Sequence, residues 1–119
     1  MVIFFDSINN AVYKNVCRIN LTPHEFIFYR YLSQRESTVI DSRELIHHIW
    51  PRRQDTINQN NLSQLAFRVR DKLKTAGIPA TIKASLKYGC MMSYEKKFLT
   101  INIDNKLNSK LLNMLSNIN

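Results

Sequence analysis

Residues 57–77 read INQNNLSQLAFRVRDKLKTAG, and their reading decides the fold. Leu62, Leu65, Ala66, Val69 and Leu73 recur at i, i+3, i+4, i+7 and i+11, the stripe of a helix packed on a core. Gly77 ends that helix and Pro79 blocks its continuation, which predicts a helix over 57–76. At about 100° per residue the opposite side collects Asn60, Asn61, Gln64, Phe67, Arg68 and Asp71. Asn and Gln are mediocre residues for a merely solvated helix surface, so their clustering needs a reason beyond propensity. Their amides donate and accept, matching adenine N6 and N7, while an Arg fork matches guanine O6 and N7. A helix also fits the major groove of duplex DNA.

Composition limits what else the chain does. Its 119 residues support one domain, and a 45% hydrophobic content supplies a proper core. A net charge of +8 and an isoelectric point near 9.8 favour a polyanion, either nucleic acid or an acidic membrane surface. The excess is local: residues 43–87 hold nine Lys and Arg against three Asp and Glu, whereas residues 1–42 hold four against four. A docking surface produces such a concentration, and so does a solvated basic face.

Cys17 and Cys90 form no C-x-x-C pair and no disulfide framework, so a reducing cytoplasm is the expected compartment. The opening MVIFFDSINN lacks the basic leader and cleavage site of a signal peptide, and no run approaches the ~18 apolar residues of a membrane span. A membrane anchor enters only if the natural chain continues beyond Asn119. His24, His47 and His48 have no Cys or carboxylate at ligand spacing, so no metal is expected. The only glycines are Gly77 and Gly89, and neither a phosphate-cradling loop, a G-x-S-x-G nor paired carboxylates occur. Hence no cofactor, small-molecule ligand or catalysis is expected.

The rest of the chain reads as a coarse order of elements. VIFF and AVYKNVCRI, separated by the turn formers DSINN, predict two or three antiparallel strands. In LTPHEFIFYRYLSQ, Thr22, Pro23 and Glu25 form a capping box ahead of a helix with Phe26, Phe28, Tyr29 and Leu32 inward. STVI is a β-prone link. Asp41 and Glu44 repeat the start signal for DSRELIHHIWP, whose Leu45, Ile46, Ile49 and Trp50 face the core and whose Pro51 closes it. RRQDT is a polar loop. After the third helix, ATIKAS, LKYG and CMMS read as strand, tight turn and strand. KFLTINI then alternates, and Leu107, Leu111 and Met114 or Leu115 recur at helical spacing.

The run from LTPHEF through DSRELIHHIW to NNLSQLAFRVRDKL and IPATIKASLKYG resembles the OmpR/PhoB-type winged helix-turn-helix DNA-binding domain, in particular its ToxR/CadC-like branch without a receiver domain, over roughly residues 1–93. The resemblance rests on L-T-x-x-E-F, L-x-x-x-I-W, N-L-S-Q followed by R-x-R-x-K-L, and a wing glycine, in that order. It implies an α+β fold: N-terminal antiparallel strands over 1–20, a three-helix core over 22–76 and a β-hairpin wing over 80–93, with residues 94–119 as a C-terminal extension. It also implies a transcriptional regulator that binds promoter double-stranded DNA sequence-specifically, with the third helix in the major groove. Carried onto this chain, the base contacts are Asn60, Asn61, Gln64 and Arg68, with Phe67 against a thymine methyl. Ser42, Arg43, Arg70 and Lys74 contact phosphates, as do Lys83, Lys87 and Tyr88 in the wing. Arg52 and Arg53, in the loop before the third helix, meet either DNA backbone or RNA polymerase. The wing departs from the family's T-V-R-G-x-G-Y: the customary arginine is Leu86, and the tyrosine after the glycine is Cys90.

Other readings of the same residues stay open. Arg68 and Arg70 pair with acidic neighbours in one of them, Phe67 packs under the wing, Lys83 and Lys87 face solvent, and Cys90 is a small hydrophobe rather than a redox sensor. A rival function is a winged-helix protein-interaction module that acts on another regulator or on polymerase through Phe67, Leu86 and Tyr88, binding DNA weakly and without preference. General RNA or nucleoid binding is a further rival. The leucine-spaced end either forms a homodimer on DNA, meets a partner regulator, or leads to an anchor.

Overall fold

The computed structural model describes the chain apart from Gln54, Leu86, Asn119 and the side chain of Ile118. Three strands open it: β1 (Val2–Asp6), β2 (Ala11–Lys14) and β3 (Cys17–Asn20), paired antiparallel with Phe5 opposite Val12 and Tyr13 opposite Arg18. Asn10 (φ 52°) and Asn15 (φ 55°) take the left-handed conformation at the turns, where asparagine is among the few tolerant residues.

Period-two alternation splits this sheet into two buried faces. Ile3, Phe5 and Val12 join the main core, where Phe5 meets Phe26 and Tyr29 at centroid distances of 6.1 and 5.0 Å. Phe4, Ala11 and Tyr13 lie with Leu112 and Ile103 in a second cluster.

Three helices build the main core. α1 (Pro23–Gln34) carries the expected capping box: the Glu25 backbone N–H donates to Thr22 Oγ1 at 3.2 Å, and the Thr22 N–H donates to Glu25 Oε1 at 2.9 Å. α2 (Ser42–Ile49) starts on Asp41 and ends with Trp50 as cap. α3 (Gln59–Thr75) buries Leu62, Leu65, Ala66, Val69 and Leu73, the stripe read from sequence. Its cap is Asn58, so Ile57 and Asn58 precede the helix proper. Gly77 closes it at φ 72°, a conformation that suits a residue without Cβ.

The wing is β4 (Ala80–Ser85) paired with β5 (Gly89–Tyr94) in a separate two-stranded sheet. The STVI link pairs with it through backbone hydrogen bonds: Ser37 N–H donates to Met92 O at 2.7 Å, Ile40 N–H to Cys90 O at 2.8 Å and Cys90 N–H to Ile40 O at 3.0 Å. Gly89, at φ 120°, makes that approach possible, since an added Cβ would lie 2.0 Å from Ile40 O.

Residues 94–119 do not stand apart from the domain. β6 (Leu99–Ile103) pairs parallel with β1, giving the order β3-β2-β1-β6, and α4 (Lys106–Ile118) covers the outer sheet face. α4 leaves its leucine-spaced residues on the outer side. Leu112 and Ser109 are buried, while Leu107, Leu111, Met114 and Leu115 stay exposed. Polar anchors set this choice. Ser109 Oγ donates to the buried Asp6 carboxylate at 2.8 Å, and Asn113 Oδ1 accepts from Arg18 Nη1 at 2.7 Å. A buried carboxylate left without such donors would cost more than an exposed leucine.

Candidate nucleic-acid interface

Because α3 turns its apolar stripe inward, Asn60, Gln64 and Phe67 are exposed, Phe67 at 65%, and Arg68 keeps half its side chain in solvent. Ser63, Gln64, Phe67 and Arg68 line one shallow hollow. Asn61 departs from the expected open face. Its Oδ1 accepts from the Asn58 N–H at 3.0 Å while Asn58 Oδ1 accepts from the Asn61 N–H at 3.1 Å, so its side chain serves the cap. Asp71 is exposed further along the helix, where its charge opposes a phosphate placed beside it.

The basic residues of α3 divide between its flanks. Arg70 and Lys74 line an open hollow of about 430 Å³ shared with Ile78, Thr81 and Glu95 beside the wing. Arg68 and Lys72 instead face the start of α1, where Glu25 is buried to 1% exposure. Lys72 Nζ donates to Glu25 Oε1 at 2.5 Å, and Arg68 Nε sits 3.4 Å from Oε2. Burial pushes the Glu25 carboxyl up, but the Lys72 hydrogen bond and the Thr22 donors outweigh it and leave it below the ordinary carboxylate range. The pairing of Arg68 with an acidic neighbour is thus present, yet half of that side chain stays open.

In the wing, Lys83, Lys87 and Tyr88 are exposed. Ser85 Oγ accepts from the Lys87 and Tyr88 N–H groups at 3.2 and 3.3 Å, and Lys87 Nζ lies 5.3 Å from the Tyr88 ring centroid. Leu86, named for the missing wing arginine, lies outside the described residues, as does Gln54 of the RRQDT loop. Cys90 is buried at 2% exposure and its thiol is raised to about 11 by burial, the character of a small hydrophobe.

Arg43 is exposed at the start of α2, and its N–H donates to Asp41 Oδ2 at 3.1 Å. Ser42, the first residue of α2, is buried at 5% exposure. Arg52 and Arg53 are exposed in the turn before α3. Among the described residues, no group of three or more His, Cys, Asp or Glu is placed to hold a metal ion, and no helix is long and apolar enough to cross a membrane. The residue that sequence reasoning missed is Glu25. It reads as a capping residue only, because its second role depends on a helix far along the chain.

Residues 16–92 match the model of the family described as "Transcriptional regulatory protein, C terminal". No curated protein matches the sequence significantly. Among solved structures, the DNA-binding domain of Escherichia coli CadC is 21% identical, with a TM-score of 0.63 over 74% of this chain and 82% of that one. The AdeR DNA-binding domain, solved in complex with an intercistronic region, is 22% identical, with a TM-score of 0.63 over 77% of this chain and 93% of that one. Both share the winged-helix fold described above.

Proposed function

The chain belongs to the OmpR/PhoB-type family of DNA-binding transcriptional regulators, and from that membership we propose that it reads promoter double-stranded DNA with α3 in the major groove. One observation carries the reading: the first turns of α3 expose Asn60, Gln64, Phe67 and Arg68 on one face with no acid among them. Gln64 and Asn60 suit adenine edges, Arg68 suits guanine, and Phe67 suits a thymine methyl. Arg43, Arg70, Lys74, Lys83 and Lys87 supply phosphate contacts, with Tyr88 beside them and Ser42 at the start of α2. Arg52 and Arg53 are assigned to DNA backbone or to RNA polymerase. If about six cations meet phosphates, log K falls against log salt with a slope of roughly −5.

A competition shift assay tests this, using a duplex selected by the protein from a random-sequence library. Gln64→Ala flattens discrimination among single-base variants of that duplex. Lys83→Ala weakens all of them alike and reduces the salt slope by about one. Unchanged site preference in Gln64→Ala and Arg68→Ala would remove α3 as the reader. Two exposed aromatics, Phe67 at 65% and Tyr88 at 63%, support a second reading as a protein-interaction module. Salt-sensitive binding with no preferred duplex would favour it.

A further inference from the structure

We propose that Glu25 is the positioning residue of the interface: its buried carboxylate holds Arg68 by the Nε edge and thereby aims the guanidinium fork outward for a guanine. This rests on the reading of α3 as the DNA reader. An arginine side chain is long and flexible, and an unsupported one loses much of its freedom when it docks on a base. Here the free protein already restrains it. Glu25 sits in the first turn of α1 at 1% exposure, fixed by the Thr22 capping box. Its two oxygens divide their partners: Oε1 accepts from the Thr22 N–H at 2.9 Å and from Lys72 Nζ at 2.5 Å, which leaves Oε2 for Arg68 Nε at 3.4 Å.

The contact is made through Nε, the edge that bidentate guanine recognition can give up. Both terminal amino groups remain for O6 and N7, and half of the side chain is still exposed towards the Gln64 and Phe67 side of the helix. Lys72 matters for the charge. With two cations on one carboxylate the cluster keeps a net positive charge, so the buried acid does not repel the DNA that Arg68 approaches. A support anchored in the core through a capped helix end keeps a reading side chain within the narrow geometric range that base recognition needs.

The test is a double-mutant cycle between Glu25→Gln and Arg68→Ala. It is read as relative affinity for the selected duplex and for the variant that replaces the base pair whose discrimination Arg68→Ala abolishes. The wild type discriminates about 5- to 150-fold at that pair. Glu25→Gln keeps the shape and an acceptor for Thr22 but loses the charge that holds Arg68. It is expected to cut discrimination at that pair at least about 2-fold, while affinity for unrelated duplex rises, because the net charge of the Glu25, Lys72 and Arg68 cluster becomes more positive. A merely destabilised protein would lose both together. In the Arg68→Ala background, Glu25→Gln is expected to change discrimination no further.

Full discrimination in Glu25→Gln, or an equal loss of discrimination with Arg68 already removed, overturns the proposal. If Arg68→Ala itself leaves discrimination intact, the α3 reading falls and the proposal falls with it. If Arg68→Ala flattens it and Glu25→Gln does not, only the positioning role falls. Should Glu25→Gln fail to fold, the heteronuclear NOE of Arg68 Nε in the free wild-type protein decides. A value well above that of the exposed Arg43 supports the hold, and equal values overturn it.

Discussion

Replacing Gly89 with alanine strains a place where the wing and the link between α1 and α2 share backbone contacts. The added Cβ lies 2.0 Å from Ile40 O, 2.9 Å from Ile40 C and 3.0 Å from the Asp41 Cα, all backbone atoms with no rotamer to change. Relief requires β5 to withdraw from the 38–41 link, which breaks the Ile40 N–H to Cys90 O and Cys90 N–H to Ile40 O bonds of 2.8 and 3.0 Å. Two such bonds contribute about 1–3 kcal/mol together. Holding a residue with Cβ at φ 120° costs about 1–3 kcal/mol more. The sum, about 2–6 kcal/mol, corresponds to a fall in Tm of roughly 8–25 °C for a domain of this size. Urea unfolding followed by circular dichroism measures it directly. The withdrawn wing also carries Lys83 and Lys87 away from their places, so affinity for all duplexes falls together. A Gly89→Ala protein within about 0.5 kcal/mol of wild type would refute the reasoning, since that is the range of an uninvolved surface change.

Further outcomes follow from the charges and burial described. Asp71→Asn removes the acid from the outward side of α3 and is expected to raise affinity for every duplex several-fold at low salt, with the gain shrinking at high salt; an equal gain at both would contradict the electrostatic account. Glu25 is held below its ordinary value of 4.5, so its contribution to stability is present above about pH 4.5 and is lost as the pH falls through the lower folded value. The urea midpoint is therefore expected to fall below about pH 4.5, and to fall less steeply in Glu25→Gln; parallel curves would rule Glu25 out. With the Cys90 thiol at about 11 and buried, and Cys17 exposed, native protein at neutral pH is expected to take up one iodoacetamide quickly and the second only on unfolding. Rapid double labelling would show an open wing.

What the sequence made legible was local in origin. The stripe of Leu62, Leu65, Ala66, Val69 and Leu73, the caps at Thr22 and Asp41, and the two strands of the wing are each specified by neighbours within a few residues, and each stands in the structure as read. What was hidden depends on partners distant in the chain. β6 finds β1 in parallel, a pairing that alternation in KFLTINI cannot address. α4 turns its leucines outward because Ser109 and Asn113 find Asp6 and Arg18, polar matches that a hydrophobic periodicity does not register. In the interface, the exposure of Gln64, Phe67 and Arg68 followed from helical geometry alone. Asn61 did not, because its own cap claimed it, and the burial of Ser42 next to the exposed Arg43 has no signal in the neighbouring residues.

The most direct measurement of the central claim is methylation interference on a duplex selected by the full chain from a random-sequence library. Dimethyl sulfate marks guanine N7, which lies in the major groove. Interference at one or more guanines in the selected core, lost in Arg68→Ala, is the expected result. Binding that no major-groove methyl group disturbs would contradict the placement of α3 in that groove.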